Sequence, residues 1–138
     1  MKIIVDSNRV IAALIKDSTT RQILFNKKFE FFAPSYIFSE IKKYKDYIVK
    51  KTDISNEEFD MLLSLIFENM NIIQATEYNS LLNELKNEVN DSKDIPYLAT
   101  AIFTKAKGIW THDMHFKGQN KIKIFTNIDM LKLIKKNH

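Results

Sequence analysis

Apolar residues in this chain follow two rhythms, short β-branched runs and longer stretches with an apolar side chain every three or four positions. The opening KIIVD is a β-branched run that ends in an acid, the pattern of a buried parallel strand delivering Asp6 at its C-terminal edge. From Asn8, residues Val10, Ile11, Leu14 and Ile15 have helical spacing, and a second helix through Ile23, Leu24 and Phe25 follows the break at Ser18-Thr19-Thr20. FEFFAP reads as a second strand. Pro34 and Ser35 open a helix in which Ile37, Phe38, Ile41, Tyr44 and Ile48 form one apolar stripe, with Glu40 beside it and lysines 42, 43 and 45 mostly off it. Ser55 and Glu58 make a capping-box pattern ahead of Phe59, Leu62, Leu63, Ile66 and Phe67, and NIIQ supplies a third strand. A helix is expected around Leu81, Leu82 and Leu85.

Pro96 lacks a backbone donor and belongs in a first helical turn, so the next helix is predicted to begin near Lys93 or Asp94. Its apolar face would be Ile95, Leu98, Ala99, Ile102, Phe103 and Ala106, with Gly108 as the stop. GIWT and KIKIF are two further strands, and a last helix runs from about Asn127 to Lys135. Strands alternating with helices of this length predict a three-layer α/β/α domain with a central parallel sheet, and 138 residues suit one domain spanning 1–138. Ligands of such sheets bind outside the carboxyl ends of the strands.

Composition narrows the chemistry. Hydrophobic residues at 45% and charged residues at 28% describe a globular protein rather than a disordered or membrane one. No apolar run approaches the roughly 18 residues needed to span a bilayer, MKIIVDSN turns acidic too quickly for a signal peptide, and a cytoplasmic location is expected. With no cysteine, any metal must be held by oxygen or imidazole. Two glycines and two prolines leave no Gly-rich phosphate loop and predict few tight hairpins. The net charge of +4 suits a polyanionic partner without establishing one.

Three acids fall where such a sheet places its site: Asp6 after the first strand, Asp113 just after GIWT, and Asp94 at the start of the helix leading into that strand. Glu40, in the helix after the second strand, has a side chain long enough to reach the same edge. Carboxylates gathered there repel one another unless a cation neutralises them, and Mg²⁺ or Mn²⁺ suits an all-oxygen set. Each acid also has an ordinary role. Asp94 and Asp113 could serve as helix caps, Asp91 as a loop or capping acid, and Glu40 as a solvated helix residue. His112 and His115 fit surface loops, His138 is terminal, and Trp110 fits the core better than a base-stacking role. The lysine-rich stretch from Lys42 to Lys51 is either a solvated helix face or a phosphate contact.

Taken together, VDSN at 5–8, SEI at 39–41, DSKDIPYLATA at 91–101 and WTHDMHF at 110–116 resemble the PIN-domain ribonuclease family, which includes VapC-like toxins and related nucleases. The order and spacing span almost the whole chain. The resemblance implies a Mg²⁺- or Mn²⁺-dependent endoribonuclease whose catalytic and metal-binding acids are Asp6, Glu40, Asp94 and Asp113, with Asp91 as an additional acid. Asn8 and Thr111 would orient them. Three positions depart from the family pattern: Ser7 for a commoner Thr, Arg9 for an aliphatic residue, and His115 for a further acid.

The resemblance further implies RNA as substrate, a small protein antitoxin as partner, and a homodimer formed through the early helices, where Ile11, Leu14, Ile23 and Phe38 are candidates. A housekeeping RNA-processing nuclease and a non-catalytic RNA- or protein-binding module are the alternatives. A phospho-acceptor switch is disfavoured, because Asp6-Ser7-Asn8 supplies one acid where that class needs a pair.

Overall fold

The computed structural model describes residues 1–89, 91–113, 116 and 118–136. Five strands, β1 (Lys2–Val5), β2 (Glu30–Pro34), β3 (Asn71–Ile73), β4 (Gly108–Trp110) and β5 (Lys123–Phe125), form one parallel sheet in the order β3-β2-β1-β4-β5. The helices are α1 (Ser7–Leu14), α2 (Ser18–Leu24), α3 (Tyr36–Thr52), α4 (Asn56–Phe67), α5 (Ala75–Leu85), α6 (Ile95–Thr104) and α7 (Asn127–Lys135), and a 3-10 turn at Ser92–Asp94 leads into α6. The chain first moves from β1 outward to β3, then returns past β1 to β4. Right-handed crossovers therefore place α1 to α4 on one face and α5 and α6 on the other. The packing agrees: α1 touches α2, α3 and α4, while α6 lies on β1, β2 and β4 beside α5. This is the expected three-layer α/β/α arrangement.

Ile3, Ile4 and Val5 are fully buried because β1 has a strand on either side and helices on both faces. Ser55 and Glu58 form the anticipated capping box at α4. Trp110 is fully buried, stacked on Phe31 at 5.6 Å between ring centres, and its indole N–H reaches Asn127 Oδ1 at 2.8 Å.

Three expectations need correction. Gly108 does not stop α6. Lys105 does so in a left-handed conformation, and Gly108 instead begins β4, where a Cβ would stand 2.4 Å from the Phe125 ring and 2.6 Å from the Lys123 carbonyl. The face of α6 is broader than a stripe: Tyr97, Thr100, Ala101 and Thr104 are buried with Ile95, Leu98 and Ala99, whereas Phe103 is exposed. Such a helix sits over the middle of the sheet and is enclosed nearly all round. On α3, Ile37, Ile41 and Ile48 face the core, but Phe38 and Tyr44 are exposed at 42% and 46%.

Candidate active site

β1 and β4 are neighbours from which the chain departs in opposite directions, and this switch point opens a crevice at their C-terminal ends. The Asp6 N–H donates to the Trp110 carbonyl at 3.0 Å, which holds the two strand ends together. Asp6 caps α1, accepting from the Ser7 N–H at 2.8 Å. Its other oxygen accepts from Thr111 Oγ1 at 2.6 Å and Asn8 Nδ2 at 3.1 Å. Asn8 Nδ2 also lies 3.1 Å from Thr111 Oγ1, while Asn8 Oδ1 accepts from the His112 N–H and from Arg9 Nε. The Asp113 N–H donates to Thr111 Oγ1 at 2.9 Å. Backbone and side-chain donors thus fix Asp6 in one orientation.

Asp94 arrives from the opposite face of the sheet, at the junction of the 3-10 turn and α6. It makes no capping bond. That duty falls to Asp91, whose carboxylate accepts from the Lys93 N–H at 3.0 Å. Asp94 Oδ2 is buried and has no hydrogen-bond partner among the described residues. Glu40 is half-buried, one turn into α3, and accepts from the Tyr97 hydroxyl. Asp6, Glu40, Asp91, Asp94 and Asp113 all line one open cleft of about 360 Å³. Another cavity of about 350 Å³, between Phe25 and Met70, contains no carboxylate.

Burial and proximity both show in the acid strengths. Asp94 is raised to about 7, first by desolvation and then by Asp113, Asp6, Asp91 and Glu40. Asp6 is raised to about 6 by desolvation, with Glu40 and Asp113 adding to the shift and its bonds to Thr111 and Ser7 opposing it. Glu40 is raised by burial and partly restored by hydrogen bonds from Tyr97 and Ser7 and by the charges of Lys93 and Lys43. Tyr97 is pushed upward by desolvation and by Asp6 and Glu40, so its hydroxyl keeps its proton and donates it. Among the described residues no three acids stand close enough together to enclose a metal ion. Asp6 and Glu40 each rest on protein donors.

Sequence reasoning missed Tyr97 and the polar network behind Asn8. Arg9, buried beneath the site, donates to Asn8 and to Asn127 Oδ1, and Asn127 in turn donates to Thr20. The position of Tyr97, one turn after Asp94, was the available signal. Nothing in the local pattern pairs Arg9 with residue 127. His112 is exposed, while His115 and His138 lie outside the described residues.

The chain is thus a parallel-sheet domain with five carboxylates gathered at its switch point. The model of the PIN domain matches residues 4–127, and the chain belongs to the PIN-domain family. Its fold is similar to that of a chain in VapBC2 from Rickettsia felis bound to a DNA fragment from their promoter, with a TM-score of 0.68, 18% identity, and coverage of 91% of this chain and 98% of that one. It is also similar to a chain of a toxin-antitoxin complex from Klebsiella pneumoniae, with a TM-score of 0.66, 19% identity, and coverage of 91% and 97%. No curated protein matches the chain.

Proposed function

We propose that this protein is a divalent-metal-dependent endoribonuclease and the toxin of a toxin–antitoxin pair. The observation that carries the reading is Asp94. A buried carboxylate oxygen without a donor, in the field of four other acids, is a costly arrangement that a cation would relieve. The donor set consists of carboxylate oxygens, which fits Mg²⁺ or Mn²⁺. Asp6 and Asp94 would hold the ion directly, with Glu40 and Asp113 completing its surroundings through water and Asp91 at the margin. When bound, the ion supplies an acidified water and charge stabilisation at the attacked phosphate.

The chain's own groups prepare that chemistry. Thr111, Asn8 and the Ser7 N–H keep Asp6 in place, so little reorganisation is required of it. Tyr97 does the same for Glu40. Lys43 and Lys93 line the cleft beside Glu40 and offset part of the negative charge that would otherwise repel an RNA phosphate.

The toxin assignment rests on the PIN fold and on the two complexes named above. A small antitoxin would close the cleft with an apolar helix and a basic side chain, which can neutralise the acids without supplying a metal. The same reading includes pairing of two copies. Leu14 and Ile23 are enclosed in the core and unavailable for it, so the contact would fall to exposed apolar groups such as Phe25, Phe38 and Leu65. Among the described residues no helix is long and apolar enough to cross a membrane, and the reading places the protein in the cytoplasm, where its RNA substrate is.

Production of this protein alone is expected to arrest growth of a bacterial host, and co-production of the protein encoded beside it to restore growth. A soluble, folded product that leaves growth unaffected, with no small neighbour that binds it, would favour a housekeeping nuclease.

A further inference from the structure

The exposure of Tyr44 departs from the apolar stripe expected of α3, and its surroundings suggest why. Glu40, Lys43, Tyr44, Tyr47 and Lys51 lie at i, i+3, i+4, i+7 and i+11, so they share one face of the helix. That face begins inside the acidic cleft, whose lining includes Glu40, Lys43, Tyr44 and Tyr47. From there it runs outward, with Tyr47 about 10 Å beyond Glu40 along the axis at 1.5 Å per residue. Both rings are open, Tyr44 at 46% and Tyr47 at 54% exposure. The Lys51 ammonium lies 5.5 Å from the Tyr47 ring centre and 3.2 Å from its hydroxyl. Lys45 is engaged elsewhere, with Asp60 at 3.5 Å and over the Phe59 ring. Of the five lysines from Lys42 to Lys51, Lys45 is therefore structural, and Lys43 and Lys51 flank the exposed rings.

An apolar protein partner would be expected to meet apolar side chains here, whereas this track sets two aromatic rings between two lysines. Aromatic planes accept any nucleobase by stacking, and the adjacent ammonium groups attract the phosphates between bases. Bases in a duplex are already stacked on one another and cannot reach such planes. We infer that Tyr44 and Tyr47, with Lys43 and Lys51, form a stacking track that selects single-stranded or looped RNA and leads it along α3 into the acidic cleft. This rests on the ribonuclease reading and adds a binding surface to it: two exposed rings and two lysines on α3 that make sequence-tolerant contacts outside the cleaved bond.

The test is RNA binding in the presence of a chelator, where no cleavage interferes, followed by fluorescence anisotropy of an end-labelled single-stranded oligoribonucleotide and of a duplex of the same length. Tyr44→Ala/Tyr47→Ala should weaken single-strand binding by about tenfold per ring. Tyr44→Phe/Tyr47→Phe, which keeps the rings and loses the hydroxyls, should bind nearly as the wild type does. Duplex binding should be weak and little changed in either variant, and Mn²⁺ affinity measured by calorimetry should be unaltered in both.

Wild-type single-strand affinity in the double-alanine variant would overturn the proposal. So would an equal loss in the phenylalanine variant, or an equal loss for duplex and single strand. If the alanine variant binds RNA normally but no longer captures the neighbouring antitoxin, the face is a protein contact and the proposal fails. Cleavage is measured separately with Mn²⁺, so a failure of the nuclease reading remains distinguishable from a failure of the track.

Discussion

Replacing Asp94 with asparagine is expected to reduce RNA cleavage by at least about a hundredfold and, at the same time, to make the metal-free protein more stable at neutral pH. The two effects have one cause. Asp94 is raised from 3.8 to about 7 by burial and by four neighbouring acids, so its charged form is disfavoured in the folded state. A group whose folded value lies above its unfolded value stabilises the fold fully below the unfolded value, and that contribution is lost as pH rises through the folded value. For Asp94 the loss falls between about 4 and 7, and for Asp6, raised to about 6, it falls slightly lower.

Metal-free wild-type protein should therefore melt at a higher temperature at pH 5 than at pH 8, by roughly 3 to 5 °C per kcal/mol recovered. Asp94→Asn should flatten that dependence. Asp6→Asn should also abolish cleavage, but with less gain in stability, since the amide cannot accept from Ser7, Asn8 and Thr111 as the carboxylate does. Differential scanning calorimetry across this pH range, beside a cleavage assay, checks both halves. A melting temperature of Asp94→Asn below that of the wild type at pH 8 would contradict the electrostatic account, and undiminished cleavage in both variants would overturn the site.

The second large effect concerns the strand that carries Thr111 and Asp113. Gly108→Ala places a methyl group 2.4 Å from the Phe125 ring and 2.6 Å from the Lys123 carbonyl, and the carbonyl belongs to the paired backbone of β5. The contact with the Lys123 carbonyl is to backbone and cannot be relieved by a rotamer change, so β4 and β5 must separate locally. Overpacking of this kind costs about 1 to 3 kcal/mol, and the backbone contact points to the upper part of that range. Gly118→Ala is the matched control, because among the described residues nothing lies within 4 Å of a Cβ there. Chemical denaturation should show a clear loss for Gly108→Ala and a small change for Gly118→Ala. Equal midpoints would show that β4 and β5 tolerate separation.

Much of this was legible in the chain itself. The β-branched run ending at Asp6, the Ser55–Glu58 box and the position of Pro96 located strands and helix starts correctly, because backbone chemistry specifies each of them locally. The same logic singles out Asp6, Asp94 and Asp113 as side chains at strand ends and a helix start, and they line one cleft with Glu40. Periodicity misled where burial depends on tertiary neighbours. It assigned Tyr44 and Phe103 to the interior, yet the first faces the cleft and the second faces solvent, while Tyr97 was overlooked although it holds Glu40. In sequence Gly108 has the look of a helix stop, since close approach between strands leaves no mark on a single segment. The link from Arg9 to Asn127 spans 118 residues and joins elements that only the sheet order brings together.

The most direct test of the metal-dependent nuclease is cleavage of mixed RNA by protein first stripped with chelator and then titrated with Mn²⁺. The account predicts no cleavage in chelator and a saturable rise with added Mn²⁺. Cleavage that persists unchanged in chelator, or intact RNA at saturating Mn²⁺ with a folded protein, would contradict it.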